Sequence, residues 1–143
     1  MKFCMVKVIV VDSDSIYALY NPNDPLHSKA TLTFKQLIVQ DFKLIYPVSV
    51  LFEIISLFQR VLPAPTVTAK FREMVIRGDL ATWVIDAETL KKSAEVFNPA
   101  GSKKNTIVDC SVVIVAKKIK AAGVFSYDGF YKKNGLKLAE DLI

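Results

Sequence analysis

Runs of apolar residues, broken at short polar intervals, divide the 143-residue chain into alternating strands and helices. Residues 2–11 are rich in Val and Ile and apolar on both faces, the pattern of a central parallel strand. Ser13 and Asp14 are N-cap types, which predicts a short helix over 15–20. Asn21-Pro22-Asn23-Asp24-Pro25 reads as a loop, with Pro25 in the first turn of a helix running to about residue 41. A second short strand is expected over 44–48. Ser49 then caps a buried helix over 49–62, with Leu51, Ile54, Ile55 and Phe58 on its inward face.

Pro63-Ala64-Pro65 breaks that helix. A polar helix over 68–77 follows, stopped by Gly78. Residues 82–85 predict a third strand, and 86–97 a helix with Ala87, Leu90, Ala94 and Phe97 inward. A loop over 98–105 leads to a buried helix over 106–122. Residues 124–127 predict a fourth strand and 136–138 a possible fifth. Strands alternating with helices imply a parallel sheet in an α/β sandwich. Without repeat, low-complexity segment or linker, 1–143 reads as a single domain. Leu26, Leu32, Phe34 and Leu37 on the early helices suit either the core or a partner interface, and the core is the expectation.

Acidic residues interrupt this apolar pattern in four places. Asp12 ends Val8-Ile9-Val10-Val11. Glu53 sits between Val50-Leu51-Phe52 and Ile54-Ile55. Asp109 lies between Thr106-Ile107-Val108 and Val112-Val113-Ile114-Val115, and Asp128 follows Val124-Phe125-Ser126-Tyr127. An isolated buried carboxylate costs several kcal/mol, so four of them suggest a shared compensator. A hard divalent cation, which prefers oxygen ligands, is the natural one. Asp12 and Asp128 each follow a predicted strand, and Glu53 and Asp109 each fall early in a helix. Functional groups of open α/β folds gather at such strand ends. Helix N-termini also help to hold carboxylates ionised. Taken singly, each acid could equally be a helix cap or a surface charge.

The remaining composition narrows the chemistry. His27 is the only histidine, so no Cys/His metal spacing exists and Ser-His and Cys-His nucleophile schemes are not expected; it is expected at the surface near a helix start. Cys4 and Cys110 lie in apolar segments and read as buried free thiols. No stretch of about 20 apolar residues lacks a charge, so no transmembrane helix is expected. The first apolar run ends without a small-residue cleavage site, so no signal peptide is expected. The net charge is +5, with basic pairs at Lys103-Lys104, Lys117-Lys118 and Lys132-Lys133. Such pairs often form solvated faces. Around an acidic metal site they also suit a polyanion such as nucleic acid, with Lys103, Lys104, Lys132 and Lys133 as candidate contacts.

The ordered set of motifs resembles a PIN domain of the VapC toxin type. Its carriers are Val10-Val11-Asp12-Ser13-Asp14-Ser15, then Val48-Ser49-Val50-Leu51-Phe52-Glu53, then Thr106-Ile107-Val108-Asp109-Cys110, then Val124-Phe125-Ser126-Tyr127-Asp128-Gly129-Phe130 with Gly135-Leu136. They cover nearly the whole chain. The resemblance implies a PIN-like three-layer sandwich, a mainly parallel sheet flanked by helices. It implies a Mg²⁺- or Mn²⁺-dependent endoribonuclease, the toxin of a type II toxin–antitoxin pair, cytoplasmic, homodimeric and blocked by an antitoxin. Asp12, Glu53, Asp109 and Asp128 would be the catalytic metal ligands. Ser13, Asp14 and Ser126 would support them. Cys110 departs from the small Ala common at its position. Two other readings fit parts of the chain. One is a PIN domain that binds RNA or protein without cutting. The other is a haloacid-dehalogenase-like phosphatase with Asp12 as nucleophile, Asp14 as acid/base and Ser49 as phosphate ligand.

Overall fold

A computed structural model describes residues 6–143. Among these residues four strands form one parallel sheet in the order β3-β2-β1-β4. β1 (Val8–Val11) is central. Its Ile9, Val10 and Val11 are buried, as expected for a strand covered on both faces. β2 (Lys43–Pro47) and β4 (Gly123–Phe125) flank it, with Val10 opposite Ile45 on one side and Val124 on the other. β3 (Thr82–Trp83) pairs with the end of β2. The strand expected over 2–11 forms at its C-terminal end; residues 2–5, and with them Cys4, lie outside the described residues.

Seven α-helices connect these strands among the described residues: α1 (Ser13–Tyr20), α2 (His27–Val39), α3 (Val48–Val61), α4 (Pro65–Arg77), α5 (Ala87–Val96), α6 (Ile107–Lys118) and α7 (Phe130–Lys133). A short 3₁₀ turn (Ala139–Asp141) follows. Parallel strands need crossovers, and helices covering the sheet give the three-layer sandwich. α3 and α6 pack directly on the strands and on each other. Their buried Val50, Leu51, Ile54, Phe58, Val112, Val113 and Val115 join the strand residues in one core. No helix among the described residues is long and apolar enough to cross a membrane.

Several boundaries differ from the sequence expectations, each for a local reason. α1 begins at Ser13 rather than residue 15, because Asp12 is itself the N-cap. α2 begins at His27. The Asp24 carboxylate takes the Leu26 amide (2.8 Å) and its carbonyl takes the His27 amide (2.9 Å), which holds Pro25 in a turn. His27 is half-buried and its Nδ1 lies 2.7 Å from the Ala18 carbonyl, so it ties α2 to α1 instead of facing water. Ser49 does not cap α3, which starts at Val48 after Pro47; its hydroxyl pairs with Ser111 at 2.7 Å. Ile55 is only half-buried, while Val50 takes a core place.

Pro65 opens α4 at its first turn, and Gly78 ends it at φ +72°, a left-handed conformation that glycine adopts freely. On α5 the inward residues are Thr89 and Ser93, while Leu90 is exposed. Small hydroxyl residues that bond within the helix, Ser93 to the Thr89 carbonyl and Thr89 to Asp86, let α5 lie close against α6. The possible fifth strand reduces to a single bridge between Val124 and Leu138. That segment passes so near the sheet that a Cβ on Gly123 would meet the Lys137 carbonyl oxygen at 2.8 Å. Of the early apolar residues, Leu37 is core, Leu26 and Phe34 are half-buried against it, and Leu32 is exposed.

Candidate metal centre

Asp12 leaves β1 in an extended conformation, and its amide reaches the Phe125 carbonyl of β4 (3.1 Å). The carboxylate therefore sits at the carboxyl ends of β1 and β4. Its Oδ1 accepts the Ser13 amide at 2.7 Å and its Oδ2 accepts the Tyr131 hydroxyl at 2.5 Å. Ser15 clamps the same corner, its hydroxyl bonding the carbonyls of Asp12 (2.9 Å) and Phe125 (2.7 Å).

Asp109 stands in the first turn of α6 within a capping box. Thr106 accepts from the Val108 amide, and Asp109 Oδ2 accepts from the Thr106 amide at 2.9 Å. Its Oδ1 remains on the side of Tyr131, 3.4 Å from that hydroxyl. Glu53, on α3, is half-buried and takes a hydrogen bond from the Ser13 hydroxyl. One oxygen or other ligand atom from each of Asp12, Glu53 and Asp109 lies within 4.8 Å of the others.

Asp128 lines the same pocket but stands outside that triad. Its oxygens accept the Asn105 amide group and the Phe130 backbone amide, each at 2.9 Å. Asp14 also lines the pocket, with Oδ1 on the Ser15 amide (2.8 Å) and Oδ2 on both the Ser126 hydroxyl and the Tyr127 amide (2.9 Å each). Capture of the Tyr127 amide by Asp14 draws the chain off the sheet, which is why β4 stops at Phe125 rather than residue 127. Ser126 thus links two of the acids: it donates to Asp14 and accepts from the Asp128 amide at 3.0 Å.

The pocket is about 300 Å³. Asp24 and Lys104 also reach it, while Lys103, Lys132 and Lys133 are not among its lining residues. Lys132 instead pairs with Asp141 at 3.1 Å on the surface. Ser49 does not line the pocket, which removes the phosphate ligand that the phosphatase reading needs.

Electrostatics follow from this crowding. Burial pushes the Asp12 carboxyl well above the usual carboxylate range, and the Asp14 and Asp109 charges add to it against the bonds from Tyr131 and Ser13. Asp109 is pushed up to about 6, chiefly by burial, with Glu53, Asp128 and Asp14 adding. Burial likewise raises Asp14. Such an all-oxygen, anionic donor set fits a hard divalent cation. Ligand oxygens around one ion at about 2.1 Å lie at most about 4.2 Å apart, so the triad needs at most slight closing to hold one.

Tyr131, Asn105 and Asp24 belong to the site and were not legible as such in the sequence. Tyr131 meets Asp12 across 119 positions, a contact without local signal. Asn105 and Asp24 lie in loops, where polar residues are expected for other reasons.

No family model matches the sequence, and no curated protein does. Solved structures do. VapC20 of Mycobacterium tuberculosis, a toxin that cleaves the sarcin–ricin loop, superposes with a TM-score of 0.75 at 18% identity, over 90% of this chain and 96% of that one. FitAcB from Neisseria gonorrhoeae superposes with a TM-score of 0.60 at 13% identity, over 91% and 95%. These likenesses show the fold, which is PIN-like and of the VapC type.

Proposed function

We propose that this chain, with its VapC-type PIN fold, is a Mg²⁺- or Mn²⁺-dependent endoribonuclease and the toxin of a type II toxin–antitoxin pair. The observation that carries the reading is the convergence of Asp12, Glu53 and Asp109 from three elements into one pocket of that fold. Asp12, Glu53 and Asp109 would hold the cation, with Asp128 beside them. When bound, it supplies positive charge to the phosphodiester and lowers the pKa of attacking water. Ser13 aims Glu53, while Ser126 fixes Asp14 and, through its amide, Asp128. Lys104 at the pocket edge offers a charge to the RNA backbone, and Lys103 beside it a second.

The antitoxin has a ready surface. A groove of about 630 Å³ between α1, α2, α4 and β2 is lined by Leu19, Phe34, Ile38, Tyr46 and Met74, and suits an apolar helix face. Homodimerisation would cover exposed apolar residues such as Phe52, 73% exposed next to Glu53. The setting is cytoplasmic, where structured RNA is available.

Cleavage of a structured RNA pool in Mn²⁺ tests the proposal, with EDTA and Asp12→Asn as controls. Cuts are expected with Mn²⁺ and wild-type protein alone. Cuts that persist unchanged in Asp12→Asn would assign the activity to a contaminant or another site.

A further inference from the structure

We infer that Tyr131 is a positioning residue of the acid cluster: its hydroxyl aims the Asp12 carboxylate, and this sets the affinity of the cluster for a divalent cation. The inference rests on the metal-dependent reading above.

Tyr131 is fully buried on α7, its ring edge-on to Phe130 with centroids 5.5 Å apart. A buried tyrosine normally places its hydroxyl on a partner. Here both polar neighbours are carboxylates of the triad, Asp12 at 2.5 Å and Asp109 at 3.4 Å. One hydroxyl proton serves one acceptor at a time, and the shorter contact assigns it to Asp12. Phenylalanine would fill the same space without bringing a polar atom into the core. The hydroxyl therefore answers to the cluster rather than to packing.

Its effect on Asp12 is geometric. The Ser13 amide fixes Oδ1 and Tyr131 fixes Oδ2, so the plane of the carboxylate is set at both ends. Asp109 is held through Oδ2 by the Thr106 amide and Glu53 by the Ser13 hydroxyl. Each donor comes from a chain segment next to β1 or α6 except Tyr131, which comes from α7. Each carboxylate oxygen keeps a second lone pair, so these bonds leave the triad able to bind an ion. Partners that orient metal-binding carboxylates typically contribute 10–100-fold in metal affinity or activity.

The test is titration of Mn²⁺ into the metal-free protein, with free Mn²⁺ followed by its electron paramagnetic resonance signal. Wild type, Tyr131→Phe, Asp12→Asn and Phe71→Leu are compared, each with its melting temperature. Phe71 lies in the core on α4, away from the pocket, so its variant reports general loosening. Tyr131→Phe is expected to bind Mn²⁺ about tenfold more weakly. Phe71→Leu is expected to keep the wild-type affinity while melting lower. A Tyr131→Phe affinity within about twofold of wild type, whatever its melting temperature, overturns the inference. If Asp12→Asn then still abolishes binding, the metal reading stands without it. If the wild type binds no Mn²⁺, the metal reading falls and the inference with it. Should Tyr131→Phe fail to fold, the wild-type near-ultraviolet difference spectrum decides. Saturating Mn²⁺ is expected to shift a buried tyrosine band, and an unshifted spectrum overturns the inference.

Discussion

Asp109 carries two duties at once, and its protonation shows how they compete. One oxygen closes the capping box of α6 and the other faces the acid cluster. Burial, and behind it Glu53, Asp128 and Asp14, pushes its carboxyl up to about 6 from an ordinary value of 3.8. The folded metal-free protein thus holds a proton that the unfolded chain has released. Where the folded state binds more protons, stability falls as pH rises. The metal-free protein is therefore expected to lose stability between about pH 4 and pH 6 through this group, and Asp12, whose carboxyl burial also raises, adds a loss of the same sign. Asp109→Asn should flatten this fall, measured as melting temperature against pH in EDTA. Mn²⁺ reverses the sign, since binding needs the ionised carboxylates. The gain in melting temperature on adding Mn²⁺ should grow from pH 5 to pH 7; a gain independent of pH would detach Asp109 from the metal site.

At the scale of elements, α6 shows how a helix start can serve structure and site separately. Its N-cap bond comes from the Thr106 side chain, whereas Asp109 is held by the Thr106 backbone amide. Thr106→Ala should then cost about 1 kcal/mol in urea denaturation yet keep wild-type Mn²⁺ affinity; loss of both together would mean that the cap also aims Asp109. The sequence showed such elements where the signal was local. Val-rich β1, Thr106 as a helix start and Gly78 as a stop were all legible, because each rests on the conformation of its own few residues. The four acids stood out because carboxylates are costly in apolar runs. What escaped depended on distant partners. The inward face of α5 went to Thr89 and Ser93, since fit against α6 outweighed hydrophobicity. The separation of Asp128 from the triad depends on Asn105, and the role of Tyr131 on a fold that brings α7 back to β1.

Across the whole molecule, charge is sorted by place. Of 14 acidic residues, Asp12, Asp14, Asp24, Glu53, Asp109 and Asp128 line one pocket, leaving eight elsewhere against 19 Lys and Arg. An anionic pocket repels RNA on its own, so under the proposed function the cationic surface supplies the attraction for the polyanion and a bound cation offsets the charge of the pocket. Lys104 is the basic residue that lines the pocket, with Lys103 its neighbour, while Lys132 is committed to Asp141. Binding of a single-stranded RNA to the Asp12→Asn protein, which is not expected to cut, isolates this effect. Each phosphate contact contributes about 0.7 to the slope of log affinity against log salt. Replacing Lys103 and Lys104 with Ala should lower that slope by about 1.4 if both touch phosphate. The same change at Lys132 and Lys133 should leave it as it was, because Lys132 is paired with Asp141 and neither adjoins a residue that lines the pocket in the way Lys103 adjoins Lys104. The opposite result, with the slope moved by Lys132 and Lys133 alone, would place the RNA path along α7 rather than over the loop before α6.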